Sequence, residues 1–285
     1  MMETSGPALT INPLSGALGA EITGIDLARL DDPTFDAIHA AFLDHQVLVF
    51  RGQHLSAAEY TALARRFGEP AEYPFAKGLE GHPEITMIVK EAHQVSNFGG
   101  IWHTDTTYRP KPPKATMLMA LETPPSGGDT LFACQCQAYE ALPEAMKQRL
   151  AGLHGVSSSA KNASALRATH LATGSMRAAE NTARTLTATH PAVRRHPETG
   201  RLALYLNRSH TVRFAELTPE ESAPLLDQLF DHQTRPEFTA RIRWRPGTVV
   251  IWDNRSCQHR AINDYDGHRR EMWRITLEGE APEGP

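Results

Sequence analysis

The feature that most constrains the fold is a recurrence of short apolar or alternating runs, bounded by Gly, Pro or Asn, at 17–23, 46–50, 85–89, 115–121, 238–244, 248–252 and 271–277. Runs of this length and punctuation form strands, because a strand needs few residues and ends where the chain must turn. Helices lie between them. Ser56 with Glu59, and Thr218 with Glu221, match the capping box, in which each end residue satisfies a free backbone donor of the first turn; Pro219 adds a proline at a first helical position. Asp32-Pro33 opens a third helix, with Phe35, Ile38 and Phe42 recurring on one face. No repeat or linker divides the 285 residues, and 40% of them are hydrophobic, enough for one substantial core. The expectation is a single domain over 1–285, mainly β with flanking helices, built as a two-sheet jelly roll or barrel. Residues 73–101 and 155–190 fit that core poorly, and long weakly patterned segments in a domain read as lids or binding loops.

Charge narrows the partners. The formal net charge of −4 offers no positive field to hold a polyanion, so nucleic acid is not expected. No basic start followed by an apolar run opens the chain, and no run of 18 apolar residues occurs, so neither a leader nor a membrane span is expected. Cys134, Cys136 and Cys257 are too few for a disulfide framework, which points to a reducing, cytoplasmic setting. Cys134 and Cys136 also lack the second cysteine pair of a zinc site.

The sharpest local signal is Trp102-His103-Thr104-Asp105. On an extended chain side chains alternate, so His103 and Asp105 point the same way and can share one ion. One further imidazole would complete the two-histidine, one-carboxylate set that suits iron(II) and leaves coordination sites open. Fourteen histidines make a chance match easy. His82-Pro83-Glu84 and His196-Pro197-Glu198 have a similar spacing, but each is interrupted by proline and reads as a surface turn. His259 follows an apolar strand and an Asp-Asn turn, a position that packing alone would explain. The strand after it places Arg270, Met272, Arg274 and Thr276 on one face. Two guanidinium groups turned inward are costly unless anions meet them, and a solvent-facing strand is the plain alternative.

Taken together these residues resemble the taurine dioxygenase and dichlorophenoxyacetate dioxygenase family of iron(II)- and 2-oxoglutarate-dependent enzymes. The similarity covers nearly the whole chain, from Leu18 to Asp26, through Val47 to Gly52 and Arg66 to Glu69, to Trp102 to Asp105, Pro125 to Thr130, Trp252 to Arg255, His259 and Arg269-Arg270. The resemblance implies a double-stranded β-helix, a distorted jelly roll. It makes His103, Asp105 and His259 the iron ligands, Thr130 and Arg270 the seat of the far carboxylate of 2-oxoglutarate, and Arg274 a contact to an anionic substrate. With dioxygen as second co-substrate, such enzymes hydroxylate a C–H bond and release succinate and carbon dioxide. No catalytic residue beyond the metal centre is implied, and a dimer or tetramer is.

Family members act on small anions such as sulfonates, sulfate esters and aryloxyalkanoates. Ahead of the metal motif this chain reads Ser96 to Trp102 without an asparagine close to the histidine, and Glu72 to Phe75 lacks the histidine expected for a sulfonate, so taurine is disfavoured. Tyr73, Phe75, Phe98 and Thr106 suit a larger, partly apolar anion, with core packing as the plain alternative. Lys161, Arg167, Arg177 and Arg184 against Glu180 read either as a field that draws an anion inward or as an exposed basic face. Two other classes fit parts of the pattern. A zinc-dependent hydrolase would use the same three ligands without needing Arg270 and Thr130, and a non-catalytic jelly-roll binding protein would need none of them.

Overall fold

The computed structural model describes residues 9–73, 76–161 and 185–285. In chain order its strands are β1 (Thr10–Pro13), β2 (Ala20–Thr23), β3 (Val47–Phe50), β4 (Pro70–Ala71), β5 (Thr86–Lys90), β6 (Ala115–Glu122), β7 (Thr130–Cys134), β8 (His154–Ser158), β9 (Thr187–Pro191), β10 (Val193–Arg195), β11 (Leu202–Leu204), β12 (Thr211–Phe214), β13 (Thr239–Ile242), β14 (Val249–Asp253), β15 (Cys257–Ala261) and β16 (Arg270–Leu277). The described helices are α1 (Asp32–His45), α2 (Ala57–Phe67), α3 (Gln135–Glu140), α4 (Glu144–Leu150) and α5 (Pro219–His232).

Eight strands form the main sheet in the order β1-β2-β3-β14-β6-β16-β4, with β5 also paired to β16. A smaller sheet, β13-β7-β15, faces it, and β12-β8-β9 and the β10-β11 pair complete the β structure. All these pairs are antiparallel except β2 with β3.

Period-two alternation explains why the central strands are apolar throughout. Leu48 and Phe50 of β3 and Val249 and Ile251 of β14 pack with Ile38, Phe42, Tyr60 and Phe67 of the helices on one face. Val47, Val49, Val250 and Trp252 pack with Phe132, Ala240, Ile242 and Cys257 of the smaller sheet on the other. A strand covered on both faces needs no polar side, which is why these runs show little alternation in sequence. Truncating Leu48, which is fully buried, to alanine would cost about 2–5 kcal/mol.

The helix starts follow the capping signals. Both boxes form, with Ser56 and Glu59, and Thr218 and Glu221, bonded reciprocally. The cap of α1 is Asp31, whose side chain accepts from the Thr34 amide, one residue ahead of the position read from sequence. Gln46, expected to open a strand, is instead the left-handed end of α1 with φ of 64°, its amide bonded to the Phe42 carbonyl. Strand β1 is exposed throughout and carries no apolar run that could announce it. The ends of the Ser/Ala/Thr-rich segment at 155–190 are paired strands, β8 against β9. Among the described residues no helix is long and apolar enough to cross a membrane.

Candidate metal centre

Between the main sheet and the smaller one lies a cavity lined by Ile88, Phe98, Gly99, His103, Asp105, Leu118, Thr130, Trp252, His259, Ala261, Arg270 and Arg274. Side chains of β5, β6, β14 and β16 reach it from one sheet and those of β7 and β15 from the other. The polar groups that the sequence singled out are thus brought together by strands far apart in the chain.

Three of them offer one ligand atom each within 4.8 Å of one another: His103, Asp105 and His259, all buried. His103 is not in a regular strand. It forms an isolated bridge with His259, closed by His103 N–H to the His259 carbonyl at 3.0 Å and the reverse bond at 2.8 Å. Asp105 then opens a turn, and Thr106 takes a φ of 42°, uncommon for a β-branched residue. The two side chains converge as expected, but on a bridge and a turn and not on an extended strand. The imidazole Nε2 atoms of His103 and His259 each lie 3.9 Å from Asp105 Oδ1.

The surroundings set the chemical form of these groups. His103 Nδ1 lies 2.7 Å from the Ile101 carbonyl, so it carries the proton and leaves the Nε2 lone pair free. Burial lowers the pKa of His103, with Asp105 pulling the other way, and burial together with His103 holds His259 well below its usual value. Both are therefore neutral at pH 7, the form that binds a metal. Burial alone would raise Asp105, but Arg274, the two imidazoles and the Thr116 hydroxyl outweigh it and hold the carboxyl well below the ordinary range. Arg274 Nη2 sits 2.8 Å from Oδ1 and Thr116 donates to Oδ2 at 2.6 Å. Thr116 in turn accepts from Asn254 Nδ2 at 2.9 Å, and Asn254 Oδ1 accepts from Trp252 Nε1 at 3.0 Å. Trp252 also packs against the His259 ring at 4.7 Å between centroids.

Arg270 stands apart from its neighbour. Arg269 is met by three carboxylates, Glu91 at 3.2 Å, Glu271 at 2.6 Å and Glu122. Arg270 is buried at 8% exposure; its Nε has no hydrogen-bond partner among the described residues, and its guanidinium rests 5.6 Å from the Trp244 ring centroid. Burial lowers its pKa, with Tyr265 and Asp129 opposing. Thr130, also lining the cavity, accepts from Trp244 Nε1 at 2.9 Å, which leaves its hydroxyl proton available.

Other expectations divide. Tyr73 is buried, its ring 5.2 Å from the Arg274 guanidinium carbon, and Phe98 lines the cavity. Thr106 is buried beside Asp105 but does not line it, and its hydroxyl has no partner among the described residues. Phe75, Arg167, Arg177, Glu180 and Arg184 lie outside the described residues, while Lys161 donates to the Thr211 carbonyl. The His82 to Glu84 stretch is a turn as expected, with Glu84 bonded to Thr61 at 2.6 Å. His196 is a correction. It is buried, accepts the Glu198 and Thr199 amides on Nδ1 and donates from Nε2 to Asp253 at 2.9 Å. The proline turn is present, but it faces the turn after β14, and Arg255 ties Asp253 to Glu198.

Sequence reasoning passed over Thr116, Asn254 (read there only as part of a turn) and His210. The first two reveal themselves only through the β6–β14 register, where β14 pairs with β6. His210 is buried with its ring 6.2 Å from that of His103, edge to face, and no carboxylate at metal spacing drew notice to it.

The chain matches the family model described as "Taurine catabolism dioxygenase TauD, TfdA family" over residues 10–276. It is 39% identical to an alkylsulfatase of Acinetobacter baylyi, the match covering 97% of this chain and 87% of that one. It is 37% identical to an alpha-ketoglutarate-dependent sulfate ester dioxygenase of Pseudomonas putida, over 97% of this chain and 91% of the relative. Among solved structures it is similar to a taurine dioxygenase from Burkholderia xenovorans, with a TM-score of 0.82, 36% identity, and 98% and 94% of the two chains covered. A match of this extent, with the site residues gathered in one cavity, shows that the chain belongs to the TauD/TfdA family of dioxygenases.

Proposed function

We propose that His103, Asp105 and His259 hold the iron(II) of an α-ketoglutarate-dependent dioxygenase, that Thr130 and Arg270 seat the far carboxylate of 2-oxoglutarate, and that the substrate is a small organic anion met by Arg274. The observation that carries the reading is Arg270. A buried guanidinium with no carboxylate in ion-pair contact among the described residues, on the wall that also bears two neutral imidazoles and an ionised aspartate, fits an anionic co-substrate that completes the cavity. A hydrolytic zinc site would leave that arginine without a purpose. The donor set of two imidazoles and one carboxylate suits iron(II).

When bound, iron with 2-oxoglutarate and dioxygen supplies the oxidising power to hydroxylate a C–H bond, one oxygen atom going to succinate and the other to the substrate. The chain orients the reactants. Arg270 and Thr130 fix one end of the co-substrate by charge-assisted hydrogen bonds, and Arg274, four residues along β16, faces the same cavity. Phe98 and Leu118 exclude water from the walls.

The relatives act on sulfate esters, which makes alkyl sulfates the first substrates to test. Hydroxylation at the carbon bearing the ester oxygen would let the product collapse to an aldehyde and sulfate. Tyr73, Thr106, Phe75 and Phe98 are proposed to shape the substrate side. A single double-stranded β-helix domain over 1–285, with lid-like segments near 73–101 and 155–190, belongs to the same reading. It is supported by two facing sheets with the cavity between them and by Phe98 and Gly99 on its wall. A cytoplasmic setting is supported by three buried cysteines that remain free.

The test is succinate release across alkyl sulfates, aryloxyalkanoates and sulfonates, with oxygen and 2-oxoglutarate each withheld in turn. His103→Ala and Asp105→Ala are each expected to abolish substrate-dependent succinate formation. Full activity in either variant would sink the metal assignment.

A further inference from the structure

We infer that Lys90 is a second cation for the far carboxylate of 2-oxoglutarate, and so sets the preference for a dicarboxylic over a monocarboxylic 2-oxo acid. The inference rests on the co-substrate reading of Arg270 given above.

Lys90 ends β5 and is the direct cross-strand partner of Arg270 in β16. Residues directly opposite in an antiparallel pair hold their Cβ atoms about 4.5–5.5 Å apart on one face, and like charges so placed repel. The shared face is the one turned to the cavity, since Ile88, two residues before Lys90, and Arg270 both line it. Both cations are buried, Lys90 at 4% and Arg270 at 8% exposure. Two adjacent buried cations are costly unless an anion joins them.

The protein supplies little of that anion. The Lys90 ammonium makes no hydrogen bond among the described residues. Its nearest charge is Asp266 Oδ1 at 3.7 Å, a carboxylate 77% exposed and therefore screened by solvent. One side of the ammonium rests on the Tyr265 ring, 4.4 Å from the centroid. Asp129, the acid acting on Arg270, has its Oδ2 engaged by Arg241 at 2.6 Å, and its Oδ1 has no hydrogen-bond partner among the described residues, Arg270 included. Tyr265 also packs against Gly128, where an added Cβ would lie 3.3 Å from its ring, so the ammonium and the ring lie beside the turn that leads into Thr130 of the cavity wall. A carboxylate has lone-pair sites for several donors, so Lys90, Arg270 and the Thr130 hydroxyl can share one without competing.

The test compares two five-carbon acids differing only at the far end, 2-oxoglutarate and 2-oxopentanoate, the second lacking the far carboxylate. Their affinities are measured by calorimetry without oxygen on the Mn(II)-loaded full chain. Lys90→Met is expected to weaken 2-oxoglutarate by about 10-fold while leaving 2-oxopentanoate unchanged, as loss of one hydrogen bond to a charged group would do. Lys90→Arg, which keeps the charge, should retain most of the affinity. Asp266→Asn should leave 2-oxoglutarate binding intact. A Lys90→Met variant that weakens both acids equally, or neither, overturns the inference. If the unaltered protein binds 2-oxoglutarate and Lys90→Met does not change that, the role of Lys90 alone fails. If the unaltered protein binds no 2-oxoglutarate, the reading of Arg270 fails with it.

Discussion

Thr116 donates a 2.6 Å hydrogen bond to Oδ2 of Asp105, so only Oδ1 of that carboxylate is left to face the two imidazoles. The bond is the last in a chain that runs from Trp252 through Asn254, every donor and acceptor in it buried. Such partners orient a metal-binding carboxylate and are worth about 10- to 100-fold in metal affinity. Thr116→Val, which keeps the shape and removes the donor, is expected to weaken Fe(II) binding in an anaerobic titration by that amount, and Thr116→Ser to restore it. Equal affinities in all three proteins would show that the chain of bonds does not orient Asp105.

The glycine at 99 sits against the same site. Its φ is +82°, and a Cβ there would come 3.3 Å from His103 Cε1. Gly99→Ala should therefore carry a backbone cost of about 1–2 kcal/mol and also displace the His103 ring, a proposed iron ligand. Gly52, with φ of +65° and open space around it, is the control. Gly52→Ala should lose comparable stability in urea unfolding and keep its metal affinity, whereas Gly99→Ala loses both.

Stability of the metal-free protein should depend on pH through its buried histidines. Burial lowers the pKa of His103, His190 and His259 from 6.5. Below pH 6.5 the unfolded chain takes up protons on these rings while the folded chain resists, so stability is full above that pH and falls as acid is added. The slope approaches about 1.4 kcal/mol per pH unit for each ring. Asp105 and Asp253, both depressed from 3.8, add a further loss as pH falls below that value. Unfolding midpoints in urea at pH 7.5, 6.5 and 5.5 would check the sign; no decline between the first and last would refute it.

Asp253 anchors the turn that delivers His259. It accepts from His196 at 2.9 Å and from Arg255 at 2.7 and 2.8 Å, all three residues being buried. Removing one member of a buried charged network leaves the others uncompensated, at a cost of about 3–5 kcal/mol. Asp253→Asn should show that loss in chemical denaturation, with Glu198→Gln, at the partly exposed edge, losing less.

Much of the site was legible from residue order because its chemistry is local or repeats along one strand. His103 and Asp105 are two residues apart, Arg270 and Arg274 share a face of β16, and the turn before His259 is written in Asp253 and Asn254. The helix starts were legible for the same reason, since a capping box spans four residues. What stayed hidden depends on register between distant strands. Thr116 meets Asn254 only because β14 lies against β6, and Lys90 meets Arg270 only because β5 lies against β16. His196 was misread because a proline turn looks the same in sequence whether it faces water or a buried aspartate. Gln46 was misread because its left-handed backbone, ordinarily a glycine trait, joins an apolar run without a break.

The bridge between His103 and His259 joins positions separated by more than half the chain. During synthesis the first histidine and the aspartate are therefore complete long before the second histidine leaves the ribosome, and a nascent chain ending anywhere before β15 presents at most two of the three proposed ligands. With those three as the ligands, tight metal capture would mark a finished polypeptide, and partial products would be spared a redox-active ion that they could not shield.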